Sequence, residues 1–365
     1  MPILLYLFIG IVAIQLFYYL FVFSKFAFIK VSKTNQPLPP VSLIICIKNE
    51  AELLEKNLSA FLQQQYPVFE IVLVDDASAD HSVDVMENFA AQHHNIKIVK
   101  VDNVEAFWGN RKFALTLGIK AAKYEHLLFT SIQCQPISSN WMATMSAQFS
   151  KEKTIVLGHA NFEKVKNSPI NALYRFEKVM HSTSTFGWTK FGWPYQGDGK
   201  NLAYHRSEFF KTRGFTDHMK IQLGEDILFI NQAADVKNTT FAFENESNVL
   251  MPSPKKFSTW FNEKRRIQGA FLHIKPRDQW QLKIFHYSQV LFFVLSIVMI
   301  FVYPDWEYVL GLILLRYLAT WIVIGFSSEK LSEKELIVWY PLLEIGLIFT
   351  RLNMIFTNFF SKPIS

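Results

Sequence analysis

The first 23 residues, MPILLYLFIGIVAIQLFYYLFVF, form an apolar run without a single charged side chain. A helix of about 20 apolar residues crosses the hydrocarbon core of a bilayer, so the run predicts a membrane anchor over residues 1–30. The alternative, a cleaved signal peptide, needs a basic start, a shorter apolar core and a small-residue cleavage site, which this run lacks. Lys25, Lys30 and Lys33 follow the run, and the positive-inside rule therefore predicts that the next segment lies in the cytoplasm.

Two further apolar runs lie near the C-terminus, at residues 287–303 and 308–326. The second run contains Arg316, which we expect to face protein or water because a charge facing lipid is costly. These runs predict membrane segments over residues 286–365 and hence an integral membrane protein. The last apolar stretch, 336–360, contains a proline, a glutamate and an arginine, and its pattern fits both a membrane span and a helix in the interface.

The segment between the membrane runs, residues 36–254, alternates short apolar runs with amphipathic patterns. Strands are predicted at 41–47, 70–76, 96–101 and 126–130, and helices at 50–65, 78–92 and 110–123. Strands that alternate with helices of this length form βαβ units and a mostly parallel sheet. The predicted fold class is therefore α/β, with transmembrane helices at the N-terminal and C-terminal ends.

Acidic side chains follow the first two predicted strands, where ligands of open α/β folds usually bind. Glu50 follows the first strand, and Asp75, Asp76 and Asp80 follow the second. Carboxylates at these positions can accept hydrogen bonds from the ribose hydroxyls and the base edge of a nucleotide. The alternative is structural, because the three aspartates also suit a turn, in which Ser78 or Asp80 caps the next helix.

Several segments, in this order, resemble a family 2 glycosyltransferase with a GT-A fold. They are VSLIICIKNE, EIVLVDDASAD, GNRKFALTLGIKAA, GDGKNLAYHR, GFTDHMKIQLGEDILF and STWFNEKRRIQG, and they cover most of residues 40–270. The resemblance implies a nucleotide-sugar donor whose nucleotide contacts Glu50 and Asp76. It also implies that Asp226, in the Gly-Glu-Asp turn, acts as the general base and that Glu225 lies beside the acceptor.

The strand predicted at 126–130 ends in Ser131-Ile-Gln133, and this end departs from the family pattern. The resemblance places Ser131 and Gln133 where the family carries the two aspartates of an Asp-x-Asp motif. That motif binds a divalent cation, Mg²⁺ or Mn²⁺, between the two phosphates of the donor. A hydroxyl and an amide are neutral and weaker ligands for hard cations, so the motif is degenerate and the cofactor stays undetermined.

Residues 255–285 form a basic amphipathic segment in which eight Lys and Arg residues stand against one Glu and one Asp. Preorganised cations can stabilise the negative charge that grows on a leaving phosphate, as a metal does. The resemblance implies that Arg265 and Arg266, which match the basic-aromatic motif of the family, lie over the phosphates and the acceptor. Lys112, in the α/β segment, is a further candidate for contact with the phosphates. The alternative is that basic residues beside a membrane span bind anionic lipid headgroups. A nucleic-acid partner is not expected, because stacking platforms and recognition motifs are lacking beside this stripe.

Other polar residues have structural interpretations. Glu225 and Asp226 open a helical pattern, and acids at a helix N-terminus are favourable without any catalytic role. Asp198 suits a turn. Cys46 and Cys134 offer neither a disulfide framework nor metal-ligand spacing, and they suit small apolar positions in strands.

The sequence thus predicts a membrane-anchored, cytoplasm-facing glycosyltransferase. It would transfer a sugar from a nucleotide-sugar donor to a lipid-linked or glycan acceptor near the bilayer. A single base such as Asp226 suffices for a single displacement, which inverts the anomeric carbon. The alternative is a catalytically impaired relative with a nucleotide-binding or scaffolding role. A transporter fits poorly, because the apolar spans are few and lack paired repeats.

Overall fold

The computed structural model describes residues 2–30, 37–102, 111–221 and 223–360. Lys33 and the start of the helix predicted at 110 lie outside these ranges. The chain forms two compact units, each made of separate stretches. The α/β unit comprises Val31–Val165 and Pro194–Lys255, and the helical unit comprises Met1–Lys30, Lys166–Trp193 and Lys256–Ile364. The stretch from Lys166 to Trp193 belongs to the helical unit although it falls inside the range predicted as 36–254, and the predicted domain boundaries stay predictions.

The strands that the structure describes form two sheets in the α/β unit. They are β1 Val41–Ile47, β2 Phe69–Asp75, β3 Ile96–Lys100, β4 His126–Thr130, β5 Gln135–Pro136, β6 Ile155–Leu157, β7 Ala160–Phe162, β8 Leu202–His205, β9 Thr239–Phe241 and β10 Val249–Met251. The larger sheet has the order β3-β2-β1-β4-β8-β6-β9, and the smaller has the order β5-β10-β7. In the larger sheet only β8 runs antiparallel to its neighbours. The predicted mostly parallel α/β sheet is confirmed.

The helices are distributed over both units. They are α1 Pro2–Phe17, α2 Ser24–Ala27, α3 Ala51–Leu62, α4 Ser82–Gln92, α5 Arg111–Ala121, α6 Trp141–Ser146, α7 Pro169–Phe191, α8 Arg206–Lys211, α9 Glu225–Ala233, α10 Phe257–Ala270, α11 Pro276–Val302, α12 Trp306–Lys330 and α13 Tyr340–Phe360. A π-helical segment, Tyr18–Phe23, joins α1 to α2, and 3-10 turns cover Thr216–His218, Asn245–Ser247 and Lys334–Trp339.

The centre of the larger sheet is covered on both faces. All seven residues of β1 are buried, as expected for a parallel strand with helices on both sides. Helix α5 packs closely on this part of the sheet because it carries Gly118. A Cβ atom at Gly118 would lie 2.6 Å from Val74 Cγ2 and 3.3 Å from Ile44 Cγ2, which is too close. The order β2-β1-β4 makes the carboxyl ends of these three strands neighbours, and this edge positions the candidate site.

Helix α4 begins later than the sequence pattern predicts. It starts at Ser82 rather than at Ser78, and His81 is its N-cap residue without a side-chain cap. Asp80 instead accepts hydrogen bonds from the main-chain nitrogens of Ser82 (3.0 Å) and Ala51 (3.1 Å). The predicted helix start and caps are therefore wrong, because these polar side chains are used to hold neighbouring loops together.

Three helices that the structure describes are long and apolar enough to cross a membrane. They cover Ile3–Ala27, Pro276–Val302 and Trp306–Lys330. The predicted N-terminal and C-terminal membrane helices are confirmed to that extent. In the helical unit, Phe8 of α1 stacks on Phe292 of α11 with ring centroids 6.0 Å apart.

Candidate active site

Hydrogen bonds join the two loops that follow β1 and β2. The Asn49 nitrogen donates to Ser78 Oγ (3.0 Å), and the Ala79 nitrogen donates to Asn49 Oδ1 (2.7 Å). Asn49 and Ala77 have positive φ angles of 55° and 52°, a conformation that is uncommon for residues with a side chain. The cross-loop bonds hold these backbones in place, so the carboxylates on either side have fixed positions.

Glu50 and Asp76, the predicted nucleotide ligands, lie at these neighbouring strand ends. Asp76 is buried, and its Oδ2 atom lies 3.4 Å from Lys48 Nζ. The Glu50 nitrogen donates to Ser82 Oγ (3.0 Å), which fixes its backbone. Asp75 differs, because its carboxylate accepts from the Ser78 nitrogen (3.2 Å) as in the turn alternative. The structure therefore brings Glu50 and Asp76 together and gives Asp75 a structural contact.

Gln133, at the end of β4, contacts Glu50. Gln133 Nε2 donates to Glu50 Oε1 at 2.7 Å. An ionised carboxylate can only accept hydrogen bonds, so the amide nitrogen must face Glu50 and the amide oxygen faces away. Ser131 Oγ accepts a bond from the Gln133 nitrogen (3.3 Å). The polar atoms of this strand end are thus engaged with one another and with Glu50.

A divalent cation, which the family resemblance implies, does not fit these residues. Hard cations prefer carboxylate oxygens, and Ser131 and Gln133 provide neutral groups. The Gln133 side chain presents an N–H group, which cannot ligate a metal, towards the carboxylate of Glu50. Within the described ranges, no three His, Cys, Asp or Glu residues are close enough to hold a metal ion together.

Asp226, the predicted general base, lies in the first turn of α9. Its Oδ2 atom accepts from the Gly199 nitrogen (2.6 Å), and its Oδ1 atom accepts from the Ile227 nitrogen (2.8 Å). Gly199 permits this approach, because a Cβ atom there would lie 3.2 Å from Asp226 Oδ2. Gly224 precedes the helix with a φ of 80°, a left-handed conformation that suits glycine. The carboxylate is thus held by main-chain groups of two segments.

The pKa of Asp226 is raised to about 6. Burial is the main cause, and the negative charges of Glu225 and Asp198 add to it, while the bonds from Gly199 and Ile227 oppose it. A carboxylate with this pKa is still ionised at pH 7 and is a stronger base than an ordinary aspartate. Groups with pKa values moved towards neutrality are typical of catalytic sites. Asp198 itself accepts from the Lys200 nitrogen (3.1 Å), which agrees with its predicted place in a turn.

Two cations at the start of α5 lie near these acids. Arg111 Nε is 3.2 Å from Glu225 Oε1, and 42% of the Arg111 side chain is exposed. Burial would lower the pKa of Arg111, but the neighbouring acidic groups, including Glu50 and Asp226, raise it. Lys112 is buried and donates to the main-chain oxygen of Ile221, and burial lowers its pKa.

Arg111 was not singled out from the sequence, although a signal for it exists. Lys112 precedes Leu115 by three residues and Ile119 by seven, and all three are buried in α5. Residues at these spacings share one face of a helix. The pattern therefore predicts that Lys112 points to the sheet and that Arg111 is the more accessible cation.

The predicted phosphate-binding arginines belong to the helical unit. Arg265 is buried, and its Nε atom donates to Asn358 Oδ1 (2.8 Å), whereas Arg266 is exposed. Lys264 forms an ion pair with Glu177, with Nζ 2.6 Å from Oε2. The roles predicted for Arg265 and Arg266 stay predictions.

Comparison with known proteins identifies the family. Residues 42–222 match the family described as glycosyl transferase family 2. A mannosyltransferase, PcManGT from Pyrobaculum calidifontis, solved in complex with GDP-Man and Mn²⁺, has the same fold with a TM-score of 0.59. It is 15% identical, and the comparison covers 95% of this chain and 98% of that one. The protein has a GT-A-like α/β fold and three candidate membrane helices. Its residues 42–222 form a glycosyltransferase family 2 domain.

Curated relatives match in shorter segments. A poly-β-1,6-N-acetyl-D-glucosamine synthase from Staphylococcus epidermidis is 31% identical over 98 residues, which are 27% of this chain and 23% of that protein. The putative glycosyltransferase EpsH from Bacillus subtilis is 26% identical over 195 residues, which are 50% of this chain and 54% of that protein. The chain thus spans about a quarter and about half the length of these two relatives.

Proposed function

We propose that the protein is an inverting glycosyltransferase in which Asp226 is the general base. The observation that carries the proposal is the setting of this carboxylate, which two main-chain N–H groups hold and whose pKa is about 6. In the reaction, Asp226 accepts the proton of an acceptor hydroxyl as its oxygen attacks the anomeric carbon of the donor sugar. The bond from that carbon to the diphosphate breaks, and a nucleoside diphosphate leaves. A single displacement of this kind inverts the anomeric configuration.

The donor nucleotide would bind at the ends of β1, β2 and β4. Glu50 and Asp76 supply carboxylates for hydroxyl or base N–H donors of the nucleoside. Gln133 would hold the Glu50 carboxylate in one orientation through the bond of 2.7 Å. Ser131, whose hydroxyl accepts from the Gln133 nitrogen, supports the same strand end.

The negative charge of the leaving diphosphate requires cations in the site. Arg111 is the accessible cation that the α/β unit offers beside Glu225, and Lys112 adds a second positive charge beneath it. Arg265 and Arg266 are proposed to contribute from the basic segment. Fixed cations of this kind stabilise a transition state because they need no reorganisation when charge develops.

The acceptor is proposed to be a lipid-linked or membrane-proximal glycan, and the α/β unit is proposed to face the cytoplasm. Three apolar helices support a location at the membrane. Lys25, near the end of the first of them, and Lys30, which follows it, support cytoplasmic placement by the positive-inside rule. Sugar nucleotides are the proposed donors on that side.

The test is nucleoside diphosphate release by the full chain in lipid nanodiscs, supplied with a panel of nucleotide sugars and membrane-lipid extracts. We expect release with at least one donor and a fall of about 10²–10⁴-fold in Asp226→Asn, the range for a lost general base. Asp84→Asn is the matched control, because it makes the same Asp-to-Asn change at a side chain that is 71% exposed. Full activity in Asp226→Asn would contradict the assigned role. Donor binding without release by the unaltered protein would instead favour the catalytically impaired relative.

A further inference from the structure

Helix α13 has an apolar face that protein does not cover. It is not among the three helices that are long and apolar enough to span a bilayer. Yet its Leu342, Phe349, Phe356 and Phe359 side chains are 64%, 68%, 66% and 84% exposed. An exposed apolar face of this extent requires a partner other than water.

The opposite side of α13 carries a polar stripe. Glu344, Arg351 and Asn358 follow one another at intervals of seven residues, which is close to two helical turns. Each contacts a different helix of the same unit. Glu344 Oε2 accepts from Arg316 of α12 (2.7 Å), Arg351 donates to Gln289 of α11 (2.8 Å), and Asn358 accepts from Arg265 of α10 (2.8 Å). The polar side of α13 therefore faces the other helices, and the apolar side faces outward.

The partner of Glu344 indicates how deep this part of α13 lies. Arg316 is 10 residues after the start of α12 at Trp306 and 14 residues before its end at Lys330. At 1.5 Å per residue, it lies about 15 Å and about 21 Å from the two ends. Arg316 also donates to Gln15 Oε1 (3.1 Å), and Gln15 lies near the middle of the first span. Glu344 is thus held near the mid-depth of the membrane helices.

The segment that leads into α13 comes from one end of the helical unit. Helix α12 ends at Lys330, whose Nζ atom donates to the main-chain oxygen of Ile29 (2.8 Å). Ile29 follows the first span, so the chain leaves α12 at the end where the first span also ends. The 3-10 turn Lys334–Trp339 then leads to α13.

The last part of α13 returns to the same end. Asn358 contacts Arg265 and Gln268 of α10, the helix that precedes α11 in the chain. Helix α11 runs antiparallel to the first span, because its Gln281 contacts Tyr18 and its Phe292 contacts Phe8. The start of α11, and with it the adjacent α10, therefore lies near the end of the first span at Ile29. The segment from Lys330 to Asn358 therefore begins and ends at this end of the unit. The start of α13 at Tyr340 lies deep, because it is only about 6 Å along the helix from Glu344.

We propose that residues 331–360 form a re-entrant segment and that the outer face of α13 contacts lipid acyl chains. The 3-10 turn enters the bilayer from the side on which α12 ends, Glu344 lies near mid-depth, and α13 runs back to that side by Asn358. The ion pair with Arg316 makes the depth possible, because an unpaired carboxylate in the hydrocarbon region is costly. The exposed faces of α11 and α12, with Val294 52% and Leu318 61% exposed, continue the same lipid-facing surface. This proposal concerns the membrane unit alone and does not depend on catalytic activity.

The depth of α13 can be measured with single-cysteine variants in phosphatidylcholine vesicles. Cys46 and Cys134 are buried, so added thiols at the surface are the accessible ones. A spin label at Phe349→Cys should collide often with dissolved oxygen and rarely with a water-soluble nickel chelate. The matched control is Lys334→Cys, which is 73% exposed at the start of the turn before α13 and should collide readily with nickel. Ready access of nickel to position 349 would overturn the proposal, because α13 would then lie outside the hydrocarbon region.

The direction of the helix can be tested without changing α13. Single cysteines, one at position 334 and one placed after residue 365, should react with an impermeant maleimide from the same side of sealed, oriented vesicles. Reaction from opposite sides would mean that α13 crosses the bilayer, and the re-entrant proposal would be wrong. Because this measurement leaves every residue of α13 unaltered, its outcome does not depend on whether the Phe349→Cys variant folds.

Discussion

Asp226 in the α/β unit and Glu344 in the helical unit are both carboxylates in enclosed positions, but their neighbours differ in charge. Two main-chain N–H groups hold Asp226, while Glu225 and Asp198 add negative charge and raise its pKa to about 6. Glu344 is 2% exposed and accepts two hydrogen bonds from the guanidinium of Arg316. The first arrangement makes proton transfer easy near neutral pH. The second keeps a charge pair intact and joins two helices.

The largest effect on stability should come from breaking the pair in the helical unit. Arg316→Met leaves Glu344 as an uncompensated buried charge, which typically costs about 3–5 kcal/mol. We expect a strongly lowered unfolding midpoint in nanodiscs, and recovery of part of the loss in the double variant Arg316→Met with Glu344→Gln. The control is Lys334→Ala, which removes an exposed pair with Glu329 and should change the midpoint little. An undisturbed midpoint in Arg316→Met would mean that the pair does not hold α13.

The next effect should appear in catalysis when Arg111 is removed. Arg111→Ala takes away the half-exposed cation beside Glu225. Loss of one fixed donor to a developing oxyanion typically lowers kcat by about 10²–10³-fold. We expect the loss mainly in kcat, with the unfolding midpoint close to that of the unaltered protein. Lys100→Ala, which removes an exposed lysine paired with Glu87, is the control. Equal activities of the two variants would exclude Arg111 from phosphate binding.

A smaller effect is expected at the end of β4, where a metal site can be rebuilt. Ser131→Asp with Gln133→Asp restores two carboxylates and should create a dependence of turnover on Mn²⁺ or Mg²⁺. The unaltered protein should be insensitive to chelator, because Gln133 contacts Glu50 through an N–H group. Chelator titration of both proteins separates these outcomes. Loss of turnover by the unaltered protein in chelator would show that a metal is held by residues other than this pair.

The smallest effect concerns how the stability of the protein changes with pH through Asp226. The pKa of Asp226 is about 6 in the folded state and about 3.9 in the unfolded state. The free energy of unfolding therefore falls as pH rises from about 3.9 to about 6, because the folded protein holds this proton more tightly than the unfolded chain. Because the carboxylate is partly accessible to solvent, we expect a cost of about 1 kcal/mol above pH 6. Asp226→Asn should remove this slope, so the stability of the variant relative to the unaltered protein should be about 1 kcal/mol more favourable at pH 7 than at pH 4. Asp84→Asn should leave the slope unchanged, and an equal slope in both variants would contradict the pKa of Asp226.

The two units also differ in how far the sequence predicts them. Strand β1 was predicted with its observed bounds, because a run of seven residues, six of them apolar, between a proline pair and a polar turn leaves few alternatives. Glu50 and Asp76 were found because they follow strands, which is a local feature, and Asp226 was found because its Gly-Glu-Asp turn resembles that of the family. The partners of these residues were not predictable. Gln133 and Glu50 are 83 residues apart in sequence, and only the order of the strands makes them neighbours.

Predictions for the helical unit were less complete for the same reason. The position of Arg316 inside an apolar run predicted that it needs a partner, but not that the partner is Glu344. The sequence did not predict that α7 belongs to the helical unit, because residues 166–193 lie between two stretches of the α/β unit in the chain. Its start is local, with Ser168 Oγ accepting from the Asn171 nitrogen (3.2 Å) and Pro169 in the first turn. Its packing depends on residues more than 100 positions away, such as Glu333, which accepts from Arg175.

Because α7 belongs to the helical unit, the protein is difficult to truncate before its C-terminal helices, and α7 cannot complete its packing early in synthesis. A fragment that ends at residue 254 would contain α7 but not α10 or α13, so buried side chains such as Tyr174 and Phe176 would lose Trp260 and Tyr340. Such a fragment is expected to aggregate or to recruit chaperones, even if its sheet forms. During synthesis, α7 likewise emerges from the ribosome well before these partners exist. The middle of the chain therefore needs roughly the last hundred residues to cover the apolar side chains of α7.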